Sequence, residues 1–523
     1  MNMKRCSCII ILALVVSITL SSCNSDDAKS DVSSIAKSSF AKSDPTVASS
    51  EHSQISGTEV LSDEYQEDSS VVSSQEMSNV GSSAASSAPL EEPYPFLQTY
   101  PQDGGYILDG SRLLKWTESK YAEKYMITIA EDSSFSNIVG QFESSVNQYE
   151  IKVPLFAHRK YYWRVKAVNA SGTANSFNDS MAFTFLPDLG KMLDDHMITN
   201  ASEPQKKPIS EGELYSPVNT TTWDYWFAEN NNQYHTFHLE RQNDKPSDYI
   251  AVGHAVSDDL LKWDYYGTVI QAESGRWDDL RIATGSTVKN DEIWYTYYTG
   301  HSTADPGFGL SISKDLFNWM KVGNEAIIPA SRRFSVKWKN MEYDVGVSAD
   351  PYVFPEKING WHYMFANASV LNIGKGFPGC ILLLRSRDLL NWESVKIVAH
   401  TGEFLRMETP QVWTRNGIWY LYFGGVRLRS SVDPSLIDPK IVFNNGEQEI
   451  VSNYIFTSSD IDGDYSEQNW SNISLPDGKP FYICKFMNDT VGNDVMLTTY
   501  WGVWKLSKPY GVTYDNDGTV VIR

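Results

Sequence analysis

The sequence predicts an all-β chain: a five-bladed β-propeller over residues 200–523, preceded by a smaller β-sandwich over residues 93–188. Three observations lead there. An aromatic, alternating strand pattern returns five times, at Gln233–His238, Ile293–Tyr298, Gly360–Phe365, Trp419–Phe423 and Val495–Tyr500. A second pattern, Ser-x-Asp-Leu-x-x-Trp, falls between these copies at Ser257–Trp263, Ser313–Trp319 and Ser386–Trp392, with a weaker copy at Ser458–Ile461. Ahead of both lie closely spaced short strands with the period-two alternation of half-buried sheet.

In chain order, Lys4-Arg5 precede an apolar run from Cys8 to Leu20 and then Leu20-Ser-Ser-Cys23. The run is too short for an ordinary spanning helix and reads as a secretory signal over residues 1–22. Leu-Ser-Ser-Cys resembles a bacterial lipobox, which implies lipidation at Cys23 and an extracytoplasmic protein held to the membrane by a lipid anchor rather than a span. Residues 23–92 are rich in Ser and acidic residues and poor in large apolar ones, a composition that cannot offset ordering entropy by burial, so a disordered tether is expected. About half of the formal charge of −21 falls in this stretch. No basic stripe suggests nucleic acid. Of five cysteines only Cys380 and Cys484 lie in the predicted folded part, enough for one disulfide that spacing neither requires nor excludes. No CxxC or His-cluster spacing suggests zinc, and neither metal nor cofactor is expected.

Within residues 93–188 the strand signals are Leu113–Trp116, Lys124–Ala130, Tyr149–Val153, Tyr161–Val168 and Ala182–Phe185. The fourth sets Tyr161, Trp163, Val165 and Ala167 against outward Arg164 and Lys166, the mark of an antiparallel strand with one wet face. Through Asp109–Trp116, Lys124–Ala130 and Tyr161–Ala170 the stretch resembles a fibronectin type III module, which implies a spacer more readily than a carbohydrate-binding unit.

The large domain is organised around Phe404–Gly425. Two strands flank Asn416-Gly417, the strongest short hairpin signal, and the first carries Glu408, a charge with no structural reason to be in a strand. The aromatic strands recur at intervals of about 58 to 76 residues, a period that indicates propeller blades of about four strands. The Ser-x-Asp-Leu-x-x-Trp copies fit turns between outer strands, with Ser and Asp bonding backbone and Leu and Trp packed beneath. Asp224 precedes Tyr234 by ten residues, Asp350 precedes Trp361 by eleven, and Glu408 precedes Trp419 by eleven. Ala283 and Cys484 hold that offset in the other two repeats. Innermost strands line the channel of a propeller, so one shared offset sends three carboxylates into one cavity.

Three convergent carboxylates on a secreted protein suggest glycoside hydrolysis, in which one acid donates a proton to the leaving oxygen and another, ionised, attacks or activates water. Crowding drives their pKa values apart and lets both forms coexist near neutral pH. Trp223, Trp226 and Trp277 are candidates to stack on sugar faces.

The large domain resembles the five-bladed propeller glycosidases of glycoside hydrolase families 32, 68, 43 and 62, over most of residues 215–510. Closest to the fructan-acting families 32 and 68 are Gly253–Trp263, Thr284–Val288 with Tyr297–Gly300, Ala349-Asp-Pro351 and Glu408-Thr-Pro410. The resemblance implies a furanoside-cleaving hydrolase with Asp224 as nucleophile, Glu408 as acid/base and Asp350 as transition-state stabiliser, acting with retention. It adds Asp279, Ser286 and Arg406 to the three tryptophans as substrate contacts, Arg406 filling the space of a cation lost elsewhere. The sequence departs from the family pattern at Thr222–Trp226, where Asn-Asp-Pro-Asn-Gly is usual, at Ala349, where the Arg of Arg-Asp-Pro stands, and at Thr409, where Cys is usual. Family 43 supplies the alternative, an inverting arabinofuranosidase- or xylosidase-like enzyme, and a silent glycan-binding propeller is the non-catalytic one. The expected partner is an oligo- or polysaccharide, the expected state a monomer.

Overall fold

The computed structural model describes residues 91–523 apart from residue 247 and residues 432–441, 444–448 and 467–472. The lipidation expected at Cys23, the signal segment, and the tether up to residue 90 lie outside the described residues. From Thr220 onward the chain forms five successive antiparallel sheets. Blade one consists of Thr220–Asn230, Gln233–Gln242, Ala251–Ser257 and Asp264–Ile270, taken outward in chain order. Blades two, three, four and five open with the inner strands Arg281–Asn290, Met341–Val353, Arg406–Arg415 and Phe481–Asn488. Blade three has an additional strand, Phe334–Trp338, paired to the start of its long inner strand. In blade four the outermost pair, Val442–Phe443, comes before the third strand in sequence. Each inner strand touches those of both neighbouring blades, and that of blade five touches that of blade one, so the ring is closed.

Closure rests on side-chain packing. Tyr215, Tyr225 and Tyr234 of the first blade and its approach form one buried cluster with Val495, Leu497 and Leu506 of the last. The Thr222 hydroxyl donates to the Trp504 carbonyl across the same seam, at 3.3 Å. A blade sandwiched between two others buries both faces, and for that reason the second strands read as near-continuous apolar or aromatic runs. Trp294–Gly300 is buried at every position.

The Ser-x-Asp-Leu-x-x-Trp copies are turns leading to the fourth strand. Asp259, Asp315 and Asp388 each accept two backbone N–H bonds of 2.7–2.9 Å from residues two and three places on. Leu260, Leu316 and Leu389 take left-handed φ of 61°, 68° and 62° and are buried beneath, a strain of about 1–2 kcal/mol each that their burial offsets.

The N-terminal module has two sheets around one core of Leu114, Trp116, Ile127, Tyr161, Trp163 and Phe183, among others. Gln98–Tyr100, Leu113–Trp116 and Gln148–Glu150 form the smaller sheet. The larger has Gly105–Leu108, Met181–Leu186, Lys160–Val168, Lys124–Ala130 and Ile138–Ser144, with Thr173–Asn175 on its side. A helix, Leu189–Asn200, connects module and propeller; Asp188 caps it, accepting the Lys191 N–H, and it buries Leu189 and Leu193. The sequence reading left this connection unassigned.

The module is docked, not strung on a free spacer. Tyr106, Leu186, Leu189 and Leu193 share a buried cluster with Tyr295, Tyr297 and Trp392 of blades two and three. Asn391, in the third turn motif, accepts the Tyr106 N–H at 2.8 Å and donates to its carbonyl at 2.9 Å. Cys380 and Cys484 are buried free thiols in separate clusters. Among the described residues no helix is long and apolar enough to cross a membrane.

Candidate active site

All five inner strands break register a few residues from their start. Asp224 and Tyr225 sit between the pairs Trp223↔Leu239 and Trp226↔Phe237. Asp350 and Pro351 sit between Ala349↔Asn367 and Tyr352↔Phe365. In blade four the equivalent residues are Thr409 and Pro410, in blade five Tyr482 and Ile483, and in blade two Thr284 alone. A bulge re-aims the side chain it carries. Asp224, Asp350 and Thr409 stand at φ of 50°, 56° and 48°, the left-handed region where a non-glycine residue is strained and which gathers at functional sites.

This register corrects the shared offset read from the sequence. Asp224 and Asp350 are equivalent, but Thr409 holds that place in blade four, and Glu408 lies one residue earlier, paired with Gly424. The hairpin of blade three is longer by two residues, 13 against 11 between equivalent partners, and His362, not Trp361, is the residue equivalent to Tyr234 and Trp419, so counting back from the aromatic strands hid the difference.

A belt of hydrogen bonds joins the blades around the channel. The Thr284 hydroxyl donates to Asp224 Oδ2 at 2.5 Å. The Thr299 hydroxyl donates to the Thr284 carbonyl at 3.2 Å and accepts the Asp350 N–H at 2.9 Å. Asp350 Oδ2 accepts the Thr409 N–H at 2.9 Å and the Asn367 amide at 3.4 Å. Glu408 Oε1 accepts the Arg406 Nε–H at 2.8 Å, and its Oε2 accepts the Tyr482 hydroxyl at 3.2 Å. Lys485 Nζ donates to the Thr409 carbonyl at 2.9 Å and the Pro410 carbonyl at 3.4 Å.

Burial and mutual repulsion tune the acids. Asp224 is pushed up to about 8, first by burial and then by the Asp350 carboxylate; the Thr284 hydroxyl and the more distant Lys485 pull it back. Asp350 rises to about 6 through burial and the charge of Glu408, opposed by the Thr409 N–H, Asn367 and Lys485. Burial lowers Lys485 to about 8 against the pull of Asp350 and Asp224. Asp224 Oδ1 is buried without a protein partner, a free acceptor or proton site at the centre of the cluster. Among the described residues no group of three or more His, Cys, Asp or Glu is placed to hold a metal ion.

Of the other candidates, Arg406 joins the acids through Glu408. Trp223, next to Asp224, stays half-buried. Trp226 does not line the site. It is 3% exposed, its indole N–H donates to Thr287 at 3.0 Å, and it stacks on Phe237, because the bulge before it turns its side chain into the blade. Ser286 is an inter-blade tie, donating to the Pro351 carbonyl and accepting the Val353 N–H, both at 2.9 Å, which uses its only donor on a side chain that is already buried. Trp277 stacks on Tyr298 and lines a cavity of about 440 Å³ where blade two meets the module, with Asp103, Lys160, Glu325 and Arg332. Asp279, two residues on, keeps one buried oxygen without a partner. Thr284, Thr299, Tyr482 and Lys485 escaped the sequence reading. For Lys485 a signal existed, a charge within the inner strand Phe481–Asn488, the same anomaly that marked Glu408.

The model of the family described as Glycosyl hydrolases family 32 N-terminal domain matches residues 226–519. The chain belongs to glycosyl hydrolase family 32. The family 32 match takes in Asp350 and Glu408 and begins two residues past Asp224, where Thr222–Trp226 departs from the family pattern. The chain is 26% identical over 210 residues to an Escherichia coli sucrose-6-phosphate hydrolase, covering 38% of this chain and 39% of that protein. It is 25% identical over 197 residues to an Escherichia coli raffinose invertase, covering 37% and 39%. It thus spans about two fifths of the length of these curated relatives. Similar solved structures include an inulosucrase from Halalkalicoccus jeotgali bound to kestose, with a TM-score of 0.46 and 17% identity over 62% of this chain and 92% of that one. A Bombyx mori family 32 beta-fructofuranosidase has a TM-score of 0.45 and 17% identity, over 64% and 68%.

Proposed function

We propose that this family 32 enzyme hydrolyses β-fructofuranosidic bonds with retention, and that it does so outside the cytoplasm, anchored through a lipid on Cys23. The observation that carries the catalytic reading is the belt itself: Asp224 and Asp350 are linked through Thr284 and Thr299, Asp350 accepts the Thr409 N–H beside Glu408, and Glu408 accepts from Arg406 and Tyr482. Asp224 attacks the anomeric carbon, and Glu408 gives its proton to the leaving oxygen. Glu408 then takes a proton from the water that releases the sugar from Asp224. Asp350 accepts hydrogen bonds from sugar hydroxyls, and Trp223 walls the site beside the nucleophile.

The proton balance of the two aspartates shapes the pH dependence. With Asp224 near 8 and Asp350 near 6, the pair holds one proton at neutral pH, mainly on Asp224. Attack needs Asp224 ionised. The short bond from Thr284 favours the ionised Asp224 and keeps the productive arrangement within reach. Activity therefore rises with pH as the pair gives up its proton, along a limb centred near pH 8 that belongs to the two coupled aspartates together.

A second reading, an inverting arabinose- or xylose-releasing hydrolase, is favoured by Ala349, which leaves blade three without a cation beside Asp350. Reducing-sugar release from sucrose, kestose, inulin, levan and arabino- and xylo-oligosaccharides tests the substrate, and NMR of the first-formed anomer tests the stereochemistry. Release from the arabinosides or xylosides alone, with inversion, overturns the first reading; no release at all leaves a glycan-binding propeller.

A further inference from the structure

We propose that Lys485 is a positioning residue of this site: reaching in from blade five, its ammonium clamps the Thr409–Pro410 bulge and serves as the fixed cation facing Asp350 and Asp224. The inference rests on the reading of those acids given above.

Lys485 is 6% exposed, and its hydrogen bonds go to two successive carbonyls, Thr409 and Pro410, not to a carboxylate. Burying an ammonium is costly unless its bonds are made and opposite charge stands near. Here both hold. The rings of Tyr352 from blade three and Tyr422 from blade four lie 5.9 and 6.0 Å from the nitrogen, and the titratable groups whose charge reaches it are Asp350 of blade three, Cys484 of its own strand and Asp224 of blade one.

Two consequences follow from this one placement. Holding the Thr409 and Pro410 carbonyls fixes the bulge whose Thr409 N–H donates to Asp350 and whose preceding residue is Glu408. The charge acts separately: it opposes the rise of both aspartates. Arg406 is bonded to Glu408 on the other side of the bulge, and Ala349 contributes no charge on blade three. The cation that balances the aspartates thus comes from blade five, one of the two blades that carry no acid in the belt.

The test compares K485M and K485R with the wild type by kcat and KM across pH, melting temperature, and 13C titration of the aspartate carboxyls in labelled protein. K485M is expected to lower kcat at least 100-fold while KM moves less than about threefold, and to move the rising limb of the pH profile up by about one unit. K485R, which keeps a cation, should return the limb towards the wild type and recover at least tenfold in kcat. K485M with a wild-type limb and unmoved carboxyl titrations overturns the proposal, whatever its melting temperature, and leaves Lys485 a structural clamp. If K485M does not fold, K485Q, whose amide still donates to a carbonyl without the charge, is read the same way. The carboxyl titration needs no substrate, so it decides Lys485 even if the wild type cleaves no fructoside.

Discussion

Thr284→Val removes one hydrogen and keeps the shape of the side chain, which makes it the sharpest probe of how the site places its proton. The hydroxyl lost is the one that donates to Asp224 Oδ2 at 2.5 Å in a buried setting. A hydrogen bond to a charged group contributes about 1.5–3 kcal/mol, and a pKa unit corresponds to about 1.36 kcal/mol, so Asp224 should rise by about one to two units above its value of about 8. The ionised, attacking form of Asp224 is then rarer at neutral pH. At pH 7, kcat/KM should fall by roughly 10- to 100-fold, the rising limb should move up by the same one to two units, and the two profiles should converge above it. Stability supplies an independent reading. Asp224 is raised in the folded state from its ordinary value of 3.8 to about 8, so between those values the folded chain binds the extra proton and stability falls as pH rises. The lost bond is felt where Asp224 is ionised, so the melting temperatures of variant and wild type should agree near pH 6 and separate above pH 8. A uniform loss of kcat/KM with the rising limb unmoved, or a melting difference independent of pH, would refute this account of the proton.

Further outcomes follow from the same geometry. Glu408→Gln should remove turnover by about 10²–10⁴-fold while calorimetry still finds sugar binding; near-normal turnover would mean another group is the acid. Trp226→Ala should cost about 3–5 kcal/mol by cavity formation and lower the melting temperature sharply, whereas Trp223→Ala should raise KM with a smaller thermal loss; the reverse pattern would return Trp226 to the site. Cys23→Ser should release the protein from the membrane fraction, and a variant that still pellets would place the anchor elsewhere.

What the sequence determined by itself was what local chemistry encodes. Five aromatic strands at blade-sized intervals, and the Asp259, Asp315 and Asp388 turns between them, are set by alternation and by side chains that bond their own backbone, and both are visible in a linear string. The presence of Asp224, Asp350 and Glu408 in strands was equally legible, because a carboxylate among apolar neighbours needs a reason. Tertiary structure decided the rest. A bulge adds a residue without changing composition, so the one-place difference between Glu408 and the two aspartates could not be counted, nor could the turn that sends Trp226 into the core. Ser286 looked free as a residue type and is consumed by a bond to the next blade, some 65 residues away in sequence. The Leu189–Asn200 helix gains its reason only from the blades it packs against. Lys485 acquires its neighbours only when the ring closes and brings the last blade beside the first, since carbonyls and carboxylates from three other strands are what make a buried ammonium tolerable.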